Sequence, residues 1–205
     1  GFLDATEYWA DDWAPPRDKE IAESMADALD CLADLLEDER DPPAVNLYDE
    51  AGPRVQEVLA KGDEVWSYNA IVADGYAPKW QIDFAPVNFR IQPGFISQRL
   101  GLTGLLYWQV DLWTSDPWSD VATYKDLPGE GMLVYPARQP YSATVAPSMR
   151  LKWLRDGADD YDFIALLKSR GCTALADRLT APVATSWRNW TKDSEVLERQ
   201  RRLIG

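Results

Sequence analysis

The feature that most limits the folds open to this chain is an alternation of strand-like and helix-like segments between residues 44 and 113. Short apolar and aromatic runs predict strands, and amphipathic segments between them predict helices. The predicted strands are 44–48, 64–72 and 103–110, and the predicted helices are 53–61 and 90–100. Strands that alternate with helices are typical of parallel sheets and barrels. The sequence therefore predicts an α/β fold.

The rest of the chain predicts one more strand and further helices. Apolar residues at helical spacing, with acids on the opposite face, predict a helix over 17–39. A short apolar run predicts a strand over 132–135. Ser148 is a candidate N-cap for a helix that runs toward Lys168, and a last helical region covers about 173–203.

These predicted strands are too few for a complete barrel. A (β/α)8 barrel takes roughly 250 residues, and this chain has 205. We therefore expect a single domain, 1–205, that is the C-terminal part of a (β/α)8 TIM-type barrel. The barrel is incomplete if its other strands lie upstream. Residues 171–205 form a helical extension of this domain.

The composition excludes several classes of function. With 34 acidic and 21 basic residues, the net charge is −13, whereas nucleic-acid binding needs clustered Lys and Arg. The absence of histidine removes Ser-His-Asp catalysis and leaves few ligands for a metal. No apolar run approaches the roughly 20 residues of a membrane span. The N-terminus has early acids and no basic region, so we expect no signal peptide in this chain.

Aromatic residues are more numerous than a core of this size requires. The chain has ten tryptophans and nine tyrosines. Their rings stack on the C–H faces of sugars, and their polar atoms can bind sugar hydroxyls. An unusually aromatic core is the alternative interpretation.

Polar and aromatic residues follow the predicted strands, at the edge where ligands bind in parallel barrels. The candidate ligand-binding residues at these strand ends are Tyr68, Asn69, Trp80, Asp111 and Trp113. Arg90 is a further candidate, with a structural role as its alternative. A pocket of carboxylates and rings is what glycoside hydrolysis needs.

Asp49 and Glu50 are candidate catalytic acids because they directly follow the first predicted strand. One acid would orient a participating group while its neighbour donates a proton. The alternative is a pair of acids at the start of the next helix, where the helix dipole favours negative charge by about 0.3–1 kcal/mol.

Three stretches of sequence together resemble a known family. They are EVWSYNA, LTGLLYWQVDLWTSDPW and GEGMLVYPARQPYSATVAPSMRLKWLRDGADDYDFIALL. Over about residues 44–170 the chain resembles the domain of unknown function 4091, the barrel domain related to glycoside hydrolase family 123. The resemblance implies a (β/α)8 barrel that acts on glycosides without a metal or organic cofactor.

The resemblance also implies a mechanism and a sugar site. Family-123 enzymes are β-N-acetylgalactosaminidases in which the substrate's acetamido group is the nucleophile, an aspartate orients it and the adjacent glutamate is the acid/base. The family's Asp-Glu pair lies well upstream of the EVWSYNA motif, so the pair is either Asp49-Glu50 or part of sequence upstream of this chain. The motif positions that line the sugar site are Trp66, Tyr68, Tyr107, Trp108, Asp111, Trp113 and Tyr135.

The sequence thus predicts a retaining glycoside hydrolase that acts by substrate assistance on a β-linked N-acetylhexosaminide or related glycan. A non-catalytic carbohydrate-binding or structural barrel domain is the alternative. The expected partner is a glycan, not a nucleic acid or a membrane. Secretion or a bacterial cell surface would suit this function, and the sequence leaves the compartment and the oligomeric state open.

Overall fold

A computed structural model describes residues 47–71, 75–122, 124, 126–140 and 144–205. These residues belong to a compact unit that spans Asn46–Gly205. The helix predicted over 17–39 and the first residues of the strand predicted over 44–48 lie outside the described residues.

The described chain mixes helices with short strands, as expected for an α/β fold. The helices are α1 (Leu47–Ala60), α2 (Asn88–Arg90), a π-helix (Ile91–Ile96), α3 (Ser97–Leu100), α4 (Met149–Ser169), α5 (Thr173–Thr180) and α6 (Ser194–Ile204). The strands are β1 (Trp66–Asn69), β2 (Gly104–Tyr107), β3 (Val134–Tyr135), β4 (Ala146–Pro147), β5 (Ala184–Ser186) and β6 (Asn189–Trp190). No described helix is both long enough and apolar enough to cross a membrane.

The first predicted strand is wrong in its described part, because Leu47 and Tyr48 begin helix α1. The prediction failed because a short apolar run has no periodicity that separates a strand from a helix. Pro53 lies inside α1, which begins six residues before the predicted helix 53–61. Asp49 and Glu50 consequently lie in the first turn of a helix, which is the alternative that the sequence left open.

The next two predicted strands form the parallel pair that positions the site. β1 and β2 are parallel, with Trp66 opposite Gly104 and Asn69 opposite Tyr107. The helical segment between them ends at Gly101, whose φ of 74° is suited to a glycine cap. Among the described residues each sheet has two strands, so the barrel stays a prediction.

Alternate residues of β1 point to opposite faces of this sheet, as in any strand. Ser67 and Asn69 are buried against the helices, whereas Trp66 and Tyr68 are 61% and 47% exposed. Leu106, which pairs with Tyr68 across the sheet, is also exposed. One face of the sheet therefore belongs to the core and the other is aromatic and accessible.

The helical segment from Asn88 to Leu100 is widened by the π-helix in its middle. Pro93 lies in this stretch, and a proline has no N–H and crowds the carbonyl four residues before it, which disfavours a regular α-helix. The π-helix packs on α4 through two glycines. A Cβ on Gly94 would lie 2.9 Å from the carbonyl oxygen of Gly157, and one on Gly157 would lie 2.6 Å from Cγ of Pro93. The two backbones are therefore in direct contact.

The long helix predicted after Ser148 is confirmed. Ser148 is its N-cap and accepts a hydrogen bond from the N–H of Leu151 at 3.3 Å. Gly157 does not interrupt the helix. The single helical region predicted over 173–203 is wrong in its middle, where the β5–β6 hairpin separates α5 from α6.

The core consists of two apolar clusters. The larger one lies among the helices and the hairpin and includes Ile91, Phe95, Ile96, Leu102, Ile164, Val183, Trp187 and Leu197. The smaller one lies beneath β2 and is built on Trp80, Phe89 and Leu133, with Leu105, Tyr107 and Trp153 packed against it. The smaller cluster supports the strand ends from the helix side.

Candidate active site at the strand ends

The carboxyl ends of β1 and β2 lie side by side, because the strands are parallel and Asn69 pairs with Tyr107. Ligands bind at this edge in parallel α/β proteins. Tyr68 lies on β1, Tyr107 ends β2 and Trp108 follows it. These three residues were predicted to bind sugar, and all three interact with the carboxylate of Glu130. The four residues Tyr68, Tyr107, Trp108 and Glu130 are called the strand-end cluster below.

Glu130 is 0% exposed and accepts hydrogen bonds on both carboxylate oxygens. Its Oε1 accepts from Trp108 Nε1–H at 2.8 Å, from the Tyr107 hydroxyl at 3.1 Å and from the backbone N–H of Ile71 at 3.2 Å. Its Oε2 accepts from Gln81 Nε2 at 3.4 Å. A buried carboxylate needs such donors to replace water. Glu130 thereby connects the ends of both strands.

Two glycines make room on either side of Glu130. Gly129 and Gly131 have φ values of 77° and 69°, which strain any residue with a side chain. A Cβ on Gly131 would lie 2.7 Å from Cζ2 of Trp108, and one on Gly129 would lie 2.4 Å from Nη1 of Arg150. The Arg150 guanidinium donates to the Gly129 carbonyl at 2.6 Å. The Trp108 ring and this guanidinium therefore lie directly against the loop backbone.

The backbone at the end of β1 is strained at Ile71, whose φ is 52°. A β-branched residue rarely adopts this left-handed conformation. The N–H of Ile71 donates to Glu130, which helps to hold the turn. Strain of this kind costs of order 1–3 kcal/mol and is concentrated at functional sites, so it supports a functional role for this edge of the sheet.

The Tyr68 phenol is the accessible polar group of the strand-end cluster. The side chain is 47% exposed, and its hydroxyl makes no hydrogen bond within the described part of the chain. Burial and then the charge of Glu130 raise the pKa of this phenol. The same two causes raise the pKa of Tyr107 even further above its usual range. Tyr68 therefore keeps a proton that it can donate to a ligand.

A second group of aromatic rings lies in the loops after β2. Trp113 Nε1 donates to the Val134 carbonyl at 2.9 Å, and Trp118 Nε1 donates to the Pro136 carbonyl at 3.1 Å. The rings of Trp118 and Tyr135 lie 4.8 Å apart between centroids. Backbone carbonyls thus hold both indole N–H groups, and both rings are partly buried. Trp118 was not predicted as a site residue.

Asp111 lies at the start of the same loop and is exposed. It pairs with Met132 in an isolated antiparallel bridge. Gln109 Nε2 donates to its carboxylate at a long 3.5 Å. An exposed carboxylate near the strand end keeps Asp111 available for a ligand, and its role in sugar binding stays a prediction.

Asn69 and Trp80, two other predicted ligand-binding residues, contact the protein's own interior. Both are 0% exposed. Asn69 Nδ2 donates to Gln92 Oε1 at 2.6 Å, and Trp80 stacks on Phe89 with ring centroids 5.4 Å apart. These contacts support the strand ends from below. Direct contact with a sugar stays a prediction for both residues.

Arg90 joins three helices through ion pairs. Its guanidinium pairs with the buried carboxylate of Asp160 on α4 and with Glu198 on α6. Arg201 also pairs with Asp160, at 2.8 Å. These ion pairs are compatible with the structural alternative, and a role of Arg90 in sugar binding stays a prediction.

Trp66 lies at the amino end of β1, away from the strand-end cluster along the strand. Its ring covers Gly104 on the neighbouring strand, where a Cβ would lie 2.3 Å from the indole. Its Nε1 donates to Glu64 at 3.3 Å. The ring is on the same sheet face as Tyr68 and is 61% exposed, so it extends the accessible aromatic face.

The remaining predicted residues are Asp49 and Glu50, which lie in the first turn of α1. Two shallow surface grooves lie elsewhere. One, of about 480 Å³, is lined by α6 residues between Ser194 and Arg202, and one of about 530 Å³ lies among α1, α3 and Lys168. Neither groove contains a residue of the strand-end cluster.

Sequence reasoning missed Glu130 as a site residue. The available signal was an acid between two glycines, Gly129 and Gly131, just before the short run that ends in β3. Its importance arises from donors that are distant in sequence, such as Ile71 and Trp108. No local sequence pattern indicates that these donors lie together in the fold.

Comparison with known proteins assigns the chain to a family. The family model of the glycoside hydrolase 123 catalytic domain matches residues 25–167, which is more than two thirds of the chain. No curated protein was found to match. The matched residues include the whole strand-end cluster and most of α4. This chain therefore belongs to the glycoside hydrolase 123 catalytic-domain family, whose substrates are glycans.

Proposed function

We propose that this chain forms part of a retaining glycoside hydrolase that acts by substrate assistance on a β-linked N-acetylhexosaminide. The proposal rests on the strand-end cluster. In this cluster Glu130 interacts with the accessible phenol of Tyr68 and holds the Trp108 ring through a hydrogen bond. It lies at the sheet edge where parallel α/β proteins bind ligands. Membership of the glycoside hydrolase 123 family supports it. We infer a (β/α)8 barrel and a likeness to the domain of unknown function 4091 on the same grounds.

The described residues suggest how the sugar is held. The Tyr68 hydroxyl is protonated and partly exposed, so it can donate to a sugar oxygen. The rings of Trp108, Trp113 and Tyr135 offer faces for the C–H surface of a pyranose. Asp111 can accept from a sugar hydroxyl. Together they form the aromatic wall of a glycan site.

The chemistry follows from the substrate's own acetamido group. Its carbonyl oxygen attacks the anomeric carbon while the glycosidic bond breaks, and an acid protonates the leaving oxygen. Water then opens the cyclic intermediate, so the anomeric configuration is retained. We assign Asp49 to orient the acetamido group and Glu50 to act as acid/base. A pair upstream of this chain is the competing assignment, because both residues lie in the first turn of α1.

Hydrolysis of 4-nitrophenyl N-acetyl-β-galactosaminide tests the proposal, with Asp49→Asn and Glu50→Gln as matched variants. Turnover by the parent that falls by about 10²–10⁴ in the variants would support this pair as the catalytic acids. Turnover that both variants retain would support an enzyme with its acids elsewhere. A folded parent that neither cleaves nor binds the glycoside would contradict the proposal.

A non-catalytic carbohydrate-binding domain is the second candidate. One observation favours it: Asp49 and Glu50 lie in the first turn of α1, whereas the catalytic acids of a barrel lie at the ends of its strands. The strand-end cluster is independent of both residues. Binding of N-acetylgalactosamine without hydrolysis of any nitrophenyl glycoside, by the same folded preparation, would favour this candidate over the enzyme.

A further inference from the structure

We propose that Glu130 is the positioning residue of the sugar site. In this role its buried carboxylate fixes Trp108 and Tyr107, so that the Trp108 ring meets the flat C–H face of a sugar. The inference rests on the proposed function and deepens it. Glu130 is 0% exposed, so it acts through its neighbours and not by contact with the ligand.

The first step of the argument is that one oxygen joins both strand ends. Glu130 Oε1 accepts from the N–H of Ile71 after β1 and from Tyr107 and Trp108 at the end of β2. A donor bound to a charged acceptor is held about twice as strongly as one bound to a neutral acceptor. Low exposure strengthens the effect further. This carboxylate therefore adds a side-chain link between two strand ends that already lie side by side in the sheet.

The second step concerns what the cluster leaves free for a ligand. The Tyr107 hydroxyl donates to Glu130 and accepts from the N–H of Gly131 at 2.8 Å. The Trp108 N–H is likewise engaged by Glu130. The ring of Trp108 lies against Gly131, and Tyr124 meets it edge-on at 5.6 Å. Trp108 therefore offers ring surface and not a hydrogen bond, which selects an apolar sugar face.

The third step identifies a variant that removes the charge of Glu130 and keeps the shape of its side chain. Glu130→Gln can keep its carbonyl oxygen toward Ile71, Tyr107 and Trp108. Its new amide then faces Gln81, whose Oε1 has no hydrogen-bond partner in the described part of the chain and could accept from it after an amide flip. The substitution should therefore fold while it weakens the hold on Trp108.

The experiment uses the full chain with ¹⁵N-labelled tryptophan and N-acetylgalactosamine as the probe. Trp108→Phe assigns the Trp108 indole N–H signal. In Glu130→Gln we expect this signal to move to lower chemical shift and to exchange faster, and the affinity for the probe to fall about tenfold. Ile164→Val, a modest core change in the larger apolar cluster, is the stability control. It should change neither the Trp108 signal nor the affinity for the probe.

A second variant tests the same idea without changing Glu130. Gly131→Ala would place a Cβ 2.7 Å from Trp108 and so displace its ring. It should also weaken binding of the probe about tenfold. Weaker binding in both variants, with parent-like binding in Ile164→Val, would support the inference.

Two outcomes would overturn it, and they can be told apart. If the parent binds the probe and Glu130→Gln binds it equally well although the Trp108 signal has moved, the positioning role is wrong and the proposed function stands. If the folded parent neither binds the probe nor cleaves its nitrophenyl glycoside, the proposed function fails, and the role of Glu130 in sugar binding fails with it.

Discussion

The guanidinium of Arg90 donates two hydrogen bonds, each of 2.9 Å, to the carboxylate of Asp160, whose side chain is only 1% exposed. The pair joins α2 to α4. Burial raises the pKa of Asp160 to about 6, although Arg90 and Arg201 both act to lower it. The buried charge therefore depends on its arginines, which makes Arg90 a sensitive position for stability.

Replacement of Arg90 by Met should lower the free energy of unfolding by about 3 kcal/mol near pH 7, because a buried carboxylate loses one of its partners. The folded pKa of Asp160, about 6, exceeds the usual value of about 3.9. The contribution of Asp160 to stability is therefore present below about pH 4 and is lost as the pH rises through 6. In Arg90→Met the folded pKa should be higher still, so the deficit should grow between pH 5 and pH 8. Urea unfolding across this range measures it.

The control for this prediction is Glu198→Gln, which removes the half-exposed partner of Arg90. We expect a change within about 1 kcal/mol, since exposed ion pairs contribute little. A deficit in Arg90→Met that is equally large at pH 5 and pH 8 would contradict the assigned cause.

Gly157→Ala should destabilise the protein by about 1–3 kcal/mol. The new Cβ would lie 2.6 Å from Cγ of Pro93 and 3.0 Å from the Arg90 backbone, which cannot easily move. Helix propensity alone predicts the opposite sign, a gain of about 1 kcal/mol. Ala158→Gly, at the exposed neighbouring position, measures the contribution of helix propensity to the free energy of unfolding. If Gly157→Ala raises the midpoint of chemical unfolding, the backbone contact between these helices is not as close as described.

Ser148→Ala should lower the free energy of unfolding by about 1 kcal/mol, because the first turn of α4 loses its side-chain cap. Ser169→Ala, at the other end of the same helix, removes an exposed hydroxyl that donates to the Leu166 carbonyl and should change stability by less than about 0.5 kcal/mol. Chemical unfolding of both variants compares them. Equal losses would argue against the capping role.

Tyr68→Phe should weaken glycan binding about tenfold and leave stability almost unchanged. Its hydroxyl makes no hydrogen bond within the described residues and is available to a ligand. Because the pKa of Tyr68 is raised, its contribution to binding should be constant between about pH 6 and pH 9. Titration with N-acetylgalactosamine measures the loss. Tyr161→Phe, a partly buried tyrosine on α4, is the matched control, and an equal loss there would count against a specific role for Tyr68.

The parts of the fold that are encoded locally could be predicted from the sequence. The parallel pairing of β1 with β2 followed from two apolar runs separated by a helix. The N-cap at Ser148 followed from residue type and position alone. At this cap the interaction comes from Leu151, three residues away in the chain.

The errors arise where local pattern and tertiary packing disagree. Leu47 and Tyr48 could begin a helix or end a strand, and only the surrounding structure decides between them. The β5–β6 hairpin contributes Val183 and Trp187 to the larger apolar cluster, and this burial favours a turn within a region of helical character. Tertiary contacts overrode the periodicity there.

The candidate site was predicted only in part for a similar reason. Tyr68 was proposed from its place at a strand end, and Tyr107 and Trp108 were proposed from the family resemblance, so each could be named without knowledge of its partners. The role of Glu130 depends on four donors that the fold brings together from three places in the chain. Arg90 was also ambiguous, because its partner Asp160 is remote in sequence.

The close contact between Gly94 and Gly157 limits which parts of this protein can move. Backbone meets backbone at this crossing, and the nearest side-chain atoms are Cγ of Pro93 and Cβ of Asp160, so the π-helix and α4 have few side-chain rotamers there with which to absorb a shift. They should move as one body, and any opening or closing at the strand ends must take place in the loops. Variants with a different glycan specificity can therefore be sought by exchanging the loops at the strand ends, provided that Gly94 and Gly157 are retained.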